Sequence, residues 1–312
     1  MSEKDLLNPI NSIQLIGLDD YFFELINLHK NKDLPKVILL SGKKGVGKIT
    51  LVNHLLQYIF DNKYYDLKNK IINKASKVYK QRLNETFPNI IHIKNEFPNK
   101  TKIDDVRSLK SVLLNSTFDN LPRFIIFDDV EKMNANCSNA LLRLIEEPSE
   151  NNFFILINNS QGNLLETVSS RCLNTKIFIN TATRLKIIDY LIKHKNIDVL
   201  IDYKKFDLTP GTFLNYNFIA LNNNINNNLD FITKIEKLLN LYKKEKNRQY
   251  INFAMFFIEQ FFYNLSLEKK DDIYNLNNSK IKTMKTLNDY AEYNLNLSSV
   301  LNSINSEFVN VT

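Results

Sequence analysis

Lys36-Val37-Ile38-Leu39-Leu40-Ser41-Gly42-Lys43-Lys44-Gly45-Val46-Gly47-Lys48 is the stretch on which the fold turns. Lys36–Leu40 reads as a short buried strand. Thr50 to Phe60 repeats its apolar residues with helical period. Between them lie Gly42, Gly45 and Gly47, half of the chain's 6 glycines. The spacing from Gly42 fits G-x-x-x-x-G-K, a phosphate-binding loop between a strand and a helix. Glycines let backbone N–H groups approach phosphate oxygens. The helix that follows aims its positive dipole end at the anion. Lys48 would supply charge to the β- and γ-phosphates. The competing reading is an ordinary strand–helix turn, and the concentration of scarce glycine argues against it.

One position departs from that pattern. The residue after the lysine should carry a hydroxyl for Mg²⁺. Here it is Ile49, and Thr50 lies one helical step, about 100°, away. ATP or ADP binding is therefore open at this loop, Mg²⁺ is expected to be held poorly, and intrinsic hydrolysis is expected to be absent. Asp128-Asp129 closes the apolar run Arg123–Phe127 and would face the metal's water shell. Asp129 stands where a catalytic carboxylate would be one methylene longer, and position matters to within about an ångström. The competing reading is an N-cap pair for the next helix.

Outward from the loop, strands and helices alternate. Strands are expected at Asn89–Ile93, Arg123–Phe127, Phe153–Ile157 and Lys176–Ile179. Helices are expected from Asp104 to Leu114, with Val106, Leu109, Val112 and Leu113 on one side, and from Ala135 to Glu147, stopped by Pro148. Continuous apolar strands joined by helices argue an α/β fold with a parallel sheet covered on both faces. After residue 180 strand signals stop. Short helices flank Pro210-Gly211, the run 221–229 reads as a linker or a weak helix boundary, and amphipathic helices fit 230–246, 248–266, 270–293 and a shorter terminal segment. Three domains are expected: 1–178, 179–224 and 225–312.

The 312 residues, net charge of +7 and 44% hydrophobic content suit a multidomain globular chain. The asparagine-rich composition reads as genomic bias. No apolar run reaches the 18 residues of a membrane span, and MSEKDLLNPI lacks signal-peptide features, so a cytoplasmic protein is expected. Cys137 and Cys172 alone cannot form a four-ligand zinc site or a disulfide framework.

The order of the loop, Asp128-Asp129, Asn139-Ala140-Leu141-Leu142-Arg143-Leu144-Ile145-Glu146-Glu147-Pro148, Asn158-Asn159 and Ser170-Arg171-Cys172 resembles the AAA+ clamp-loader family over residues 8–178. Ile16-Gly17-Leu18 resembles the segment lining the adenine pocket. The resemblance implies an AAA+ P-loop domain, a small helical lid and an all-α collar. Asn158 and Asn159 lie where that family places its γ-phosphate sensor. The family's sensing arginine in the lid is not matched, since Thr212 follows Pro210-Gly211. Residues 60–90 lack the zinc cysteines of the motor subunits. These departures resemble the delta-prime subunits of bacterial DNA polymerase III. That likeness implies a stator, without zinc, in a complex with gamma/tau and delta subunits, loading a sliding clamp onto primed DNA. Arg171 would act in trans, as an arginine finger on a neighbour's ATP; the competing reading of Arg171 is a surface ion pair, against which its flanking Ser170 and Cys172 argue. Alternatives are an active gamma/tau-like clamp-loader ATPase, another AAA+ DNA-replication protein, or a plain scaffold.

Weaker signals have plainer readings beside them. Lys63 to Arg82 holds seven basic residues and one acid. Lys70, Lys74 and Lys77 fall at helical spacing, with Tyr64, Tyr65 and Tyr79 interleaved. DNA-backbone contact and a solvated helix face are the two readings, and the solvated face is favoured. His54, His92 and Cys137 read as structural. Phe253, Phe256, Phe257, Phe261 and Phe262 read as a packing stripe.

Overall fold

A computed structural model describes residues 6–309 apart from 95–102, 116, 161, 163, 227, 270 and 271. The N-terminal MSEKD, Asn227 of the 221–229 run and residues 270 and 271 of the last long predicted helix lie outside the described residues. The chain forms two compact units, Met1–Asn215 and Tyr216–Thr312, where the sequence suggested three domains.

The first unit contains α1 (Asp19–Lys30), β1 (Val37–Ser41), α2 (Lys48–Phe60), β2 (Tyr65–Asp66), β3 (Ile71–Ile72), α3 (Lys77–Leu83), β4 (Ile90–Lys94), α4 (Ile103–Leu114), β5 (Arg123–Asp128), α5 (Ala135–Glu146), β6 (Asn152–Asn158), α6 (Glu166–Ser169), β7 (Leu173–Lys176) and α7 (Thr181–Lys195). α8 (Pro210–Asn222) carries the boundary. Five strands form one sheet in the order β4-β5-β6-β1-β7, every pair parallel. Alternation along each strand divides the core in two. Ile38, Leu40, Ile126, Ile155 and Ile157 pack with Phe22, Leu51 and Leu55 on one face. Val37, Leu39, Ile125, Phe127 and Leu156 pack with Val106, Leu109, Leu141 and Ile145 on the other. Each such side chain contributes about 1.5–3 kcal/mol when fully buried. Parallel pairing brings Ser41, Asp128, Asn158 and Lys176 to the same sheet edge, where the loop lies.

Three expectations need correction. The last strand is Leu173–Lys176 rather than Lys176–Ile179. It is an edge strand paired only to β1, so its residues are largely exposed and carry no apolar run. Ile177 is buried just beyond it, and Phe178 is exposed. Second, Lys63–Arg82 is not one basic helix. The Asp66 carboxylate accepts from the backbone N–H groups of Lys68 and Asn69, turning the chain into the β2–β3 pair. Lys70 has left-handed backbone and pairs with Asp19, while Tyr65, Tyr79 and Arg82 are buried. Third, Val106 and Leu109 are buried on α4 but Val112 is exposed.

His54 is fully buried, with Nε2 against Ser12 O and Nδ1 against Tyr65 Oη, both at 2.9 Å. His92, by contrast, is exposed on the edge strand β4.

In the second unit, α9 (Phe231–Glu245), α10 (Arg248–Glu268), α11 (Ile273–Tyr293) and α12 (Leu297–Val309) pack successively, and α12 closes back on α9. The predicted aromatic stripe is its core. Phe253 stacks on Tyr216 and Phe257, and Phe261 meets both Phe231 and Phe308.

Candidate functional site

Gly47 has φ of 102° and caps α2, so the chain leaves the glycine loop directly into the helix that begins at Lys48. Lys48 is almost wholly buried. Its Nζ donates to the loop's own carbonyls, Gly42 O at 2.7 Å and Lys43 O at 3.0 Å. Burial lowers its pKa to about 8, against the opposing pull of Asp128, Glu131 and Asp129. Ile49 is half-buried and packs on the apolar core beside α1 and α2. Thr50, also half-buried, occupies the next helical position.

Asp128 ends β5 and Asp129 follows it, next to the loop. Asp129 is fully buried with left-handed backbone, φ 53°. Its Oδ2 pairs with Lys132 Nζ at 2.8 Å and Lys44 Nζ at 3.4 Å, and its Oδ1 accepts from Asn159 Nδ2 at 2.5 Å. Burial pushes this carboxyl upward. Lys44, Lys132 and Asn159 outweigh it and hold the pKa below its ordinary value. Asp128 Oδ1 accepts from Asp129 N and from Asn159 Nδ2. Asn159 N in turn donates to Glu131 Oε2.

Of the two asparagines, it is Asn159 that reaches the aspartates. Asn158 is tied elsewhere: its carbonyl accepts from Gly42 N at 3.1 Å and its side chain accepts from Ser160 N at 2.8 Å. Among the described residues, no group of three His, Cys, Asp or Glu side chains is placed to hold a metal ion.

The loop carries a strap from far along the chain. Gly211 N donates to Gly45 O at 2.9 Å, and Thr209 Oγ1 donates to Lys44 O at 2.6 Å. Lys43 Nζ pairs with Asp207 Oδ2 at 3.0 Å. Gly45 (φ 82°) and Gly211 are both required by this approach. A Cβ on Gly45 would lie 2.4 Å from Thr209 Oγ1, and one on Gly211 2.8 Å from Gly45 Cα. The buried Arg184 holds the strap by donating to the carbonyls of Tyr203, Phe206 and Leu208. Its neighbours Thr183 and Ile187 on α7 cover Gly17.

Arg171 lies apart from these groups in its bonding. It sits on the exposed turn between α6 and β7. Its NH1 donates to Thr167 O at 2.9 Å, and its NH2 pairs with Glu146 Oε1 at 3.1 Å. Cys172 donates from Sγ to Val168 O, and burial raises its thiol pKa to about 11, so it is not a reactive thiol. Cys137 is buried within α5.

Sequence reading missed Lys44 and Lys132 as partners of Asp129 and Glu131 as a partner of Asn159, although Glu131 and Lys132 follow Asp129 within three positions. It had no signal for Asp207, Thr209 or Arg184, whose contacts with the loop and its strap cross long sequence separations.

A family model described as DNA polymerase III, delta subunit, matches residues 19–179. The subunit delta' of DNA polymerase III from Buchnera aphidicola subsp. Schizaphis graminum is 28% identical over 151 residues, 48% of this chain and 44% of that protein. A putative replication factor C small subunit of Acanthamoeba polyphaga mimivirus is 26% identical over 198 residues, 61% of this chain and 53% of that protein. The chain spans about half the length of these curated relatives. A crystal structure of a DNA polymerase III gamma subunit-related protein from Thermotoga maritima shares the fold. Its TM-score is 0.50 at 16% identity, over 92% of this chain and 99% of that one.

Proposed function

The chain belongs to the family described as DNA polymerase III, delta subunit, as a delta-prime-like clamp-loader member, and from that premise we propose that it is a stator that does not turn over ATP itself. Arg171 is its contribution to chemistry. It would project from the α6–β7 turn to a neighbouring gamma/tau-type subunit and neutralise charge developing on that subunit's γ-phosphate. In trans such a residue is worth roughly 10³–10⁵ in rate. The observation that carries this reading is the contrast between the two sites. Arg171 is exposed within Ser170-Arg171-Cys172, while the chain's own loop is covered by the strap at Gly211.

The residues at that loop do not fit a magnesium nucleotide. Lys48 is turned into loop carbonyls, Ile49 offers no oxygen, and Lys44 and Lys132 already neutralise Asp129. The loop, with Gly42, Gly45 and Gly47, acts as a structural joint between the sheet edge and residues 203–212. Residues 179–224 would serve as a lid and 225–312 as a collar that joins the gamma/tau and delta subunits. The assembly would load a sliding clamp onto primed DNA in the cytoplasm.

The test is assembly with gamma/tau- and delta-type subunits, followed by ATPase assay. Arg171→Ala should leave folding and assembly intact and lower DNA-stimulated turnover several-fold. An unchanged rate would remove the finger, and failure to co-assemble would remove the stator.

A further inference from the structure

Resting on the arginine-finger reading above, we propose that Glu146 is the residue that positions Arg171. Glu146 is the last residue of α5, two residues before Pro148. That helix is fixed against the sheet by buried Cys137, Leu141 and Ile145, and its start is capped by Asn134. The backbone from which Glu146 reaches Arg171 is therefore placed by the core.

Arg171 takes its orientation from two different elements. Glu146 Oε1 holds NH2 from α5, and Thr167 O holds NH1 from α6. Ser170 Oγ adds a longer contact to NH1 at 3.5 Å. Two bonds on two nitrogens of a planar group define its plane. About two-fifths of the Arg171 side chain stays open to solvent.

Stability does not explain the pair. Both partners are exposed, at 40% and 47% of their side chains, and such ion pairs add little to folding. A carboxylate at a helix C-terminus also opposes the helix dipole. What the pair does supply is orientation. An untethered arginine spreads over many rotamers, and loss of aim of about an ångström is costly to a reaction in trans. The pair also joins the two motifs, Asn139–Pro148 and Ser170–Cys172, that the sequence presents separately.

The experiment uses the full chain assembled with its partner subunits, and separately the full chain alone. Glu146→Ala should lower kcat of the DNA-stimulated ATPase about 3- to 10-fold with KM for ATP unchanged, the mark of an interaction needed only in the transition state. Glu146→Gln keeps an acceptor oxygen and should stay within about twofold of the unaltered complex. Glu146→Ala combined with Arg171→Ala should be no slower than Arg171→Ala alone, because both act through one group. The thermal midpoint of the isolated Glu146→Ala chain should be unchanged. A normal kcat for Glu146→Ala beside a lowered one for Arg171→Ala would overturn the positioning role and leave the finger standing. A silent Arg171→Ala would overturn both. A fall in thermal midpoint or loss of assembly would assign Glu146 a structural role and overturn the proposal.

Discussion

Charge at the loop is balanced from within the chain. Asp129 would be costly to bury alone, and two lysines with one asparagine amide compensate it. Lys48 likewise spends its donors on carbonyls six and five residues before it. Restoring a hydroxyl at position 49 therefore should not restore a nucleotide site. Ile49→Thr is expected to show no saturable binding of a fluorescent ATP analogue with Mg²⁺, because the strap still lies on Gly45. Saturable binding would show instead that the missing hydroxyl alone limits the loop. At this scale the lysine, the aspartates and the arginine were legible from local spacing. Which of Asn158 and Asn159 turns toward the aspartates was not. That choice depends on β6 ending at Asn158, where the side chain caps the turn at Ser160 and frees the next residue to turn inward.

Elements end where their caps are. Asparagine, dismissed in the sequence as compositional bias, supplies many of them. Asn134, Asn180 and Asn247 accept from backbone N–H groups at the starts of α5, α7 and α10. Asn196 and Asn294 take left-handed backbone at the ends of α7 and α11, a place where glycine is common and where this glycine-poor chain uses the next most tolerant residue. Asn180→Ala should cost about 1 kcal/mol, read as a shift in urea midpoint with unchanged slope. No shift would mean that α7 draws its start from packing alone. The same scale explains the misread region before Arg82. Lysine spacing suggested a helix, but an Asx turn at Asp66 and a buried Tyr65 bend the chain into a hairpin before a helical face can form.

Over the whole molecule, no helix among the described residues is long and apolar enough to cross a membrane. A pH-sensitive feature of the fold is His54. Burial lowers its pKa to about 4, with the Ser12 carbonyl opposing and Arg82 reinforcing that shift. In the unfolded chain it returns to about 6.5. Between those values the unfolded state binds the extra proton, so stability is full above about pH 6.5 and falls as the pH drops toward 4, by up to about 3 kcal/mol. Urea unfolding at pH 7 and pH 5 should show the loss, and His54→Gln should flatten it. An equal midpoint at both pH values would mean that folding does not shift the His54 pKa.

The sequence by itself determined the parallel α/β sheet, the glycine loop with its missing hydroxyl, the aspartate pair, the Ser170-Arg171-Cys172 motif and the succession of C-terminal helices. All of these are written in residues a few positions apart, where periodicity, glycine and capping chemistry act. Only the tertiary structure decided that Thr209 and Gly211 lie on Gly45, that Lys44 and Lys132 neutralise Asp129, and that Glu146 holds Arg171. Most of these contacts join residues brought together by the packing of the sheet and its helices. No local pattern announces them, because their energy is gained only after the core has closed.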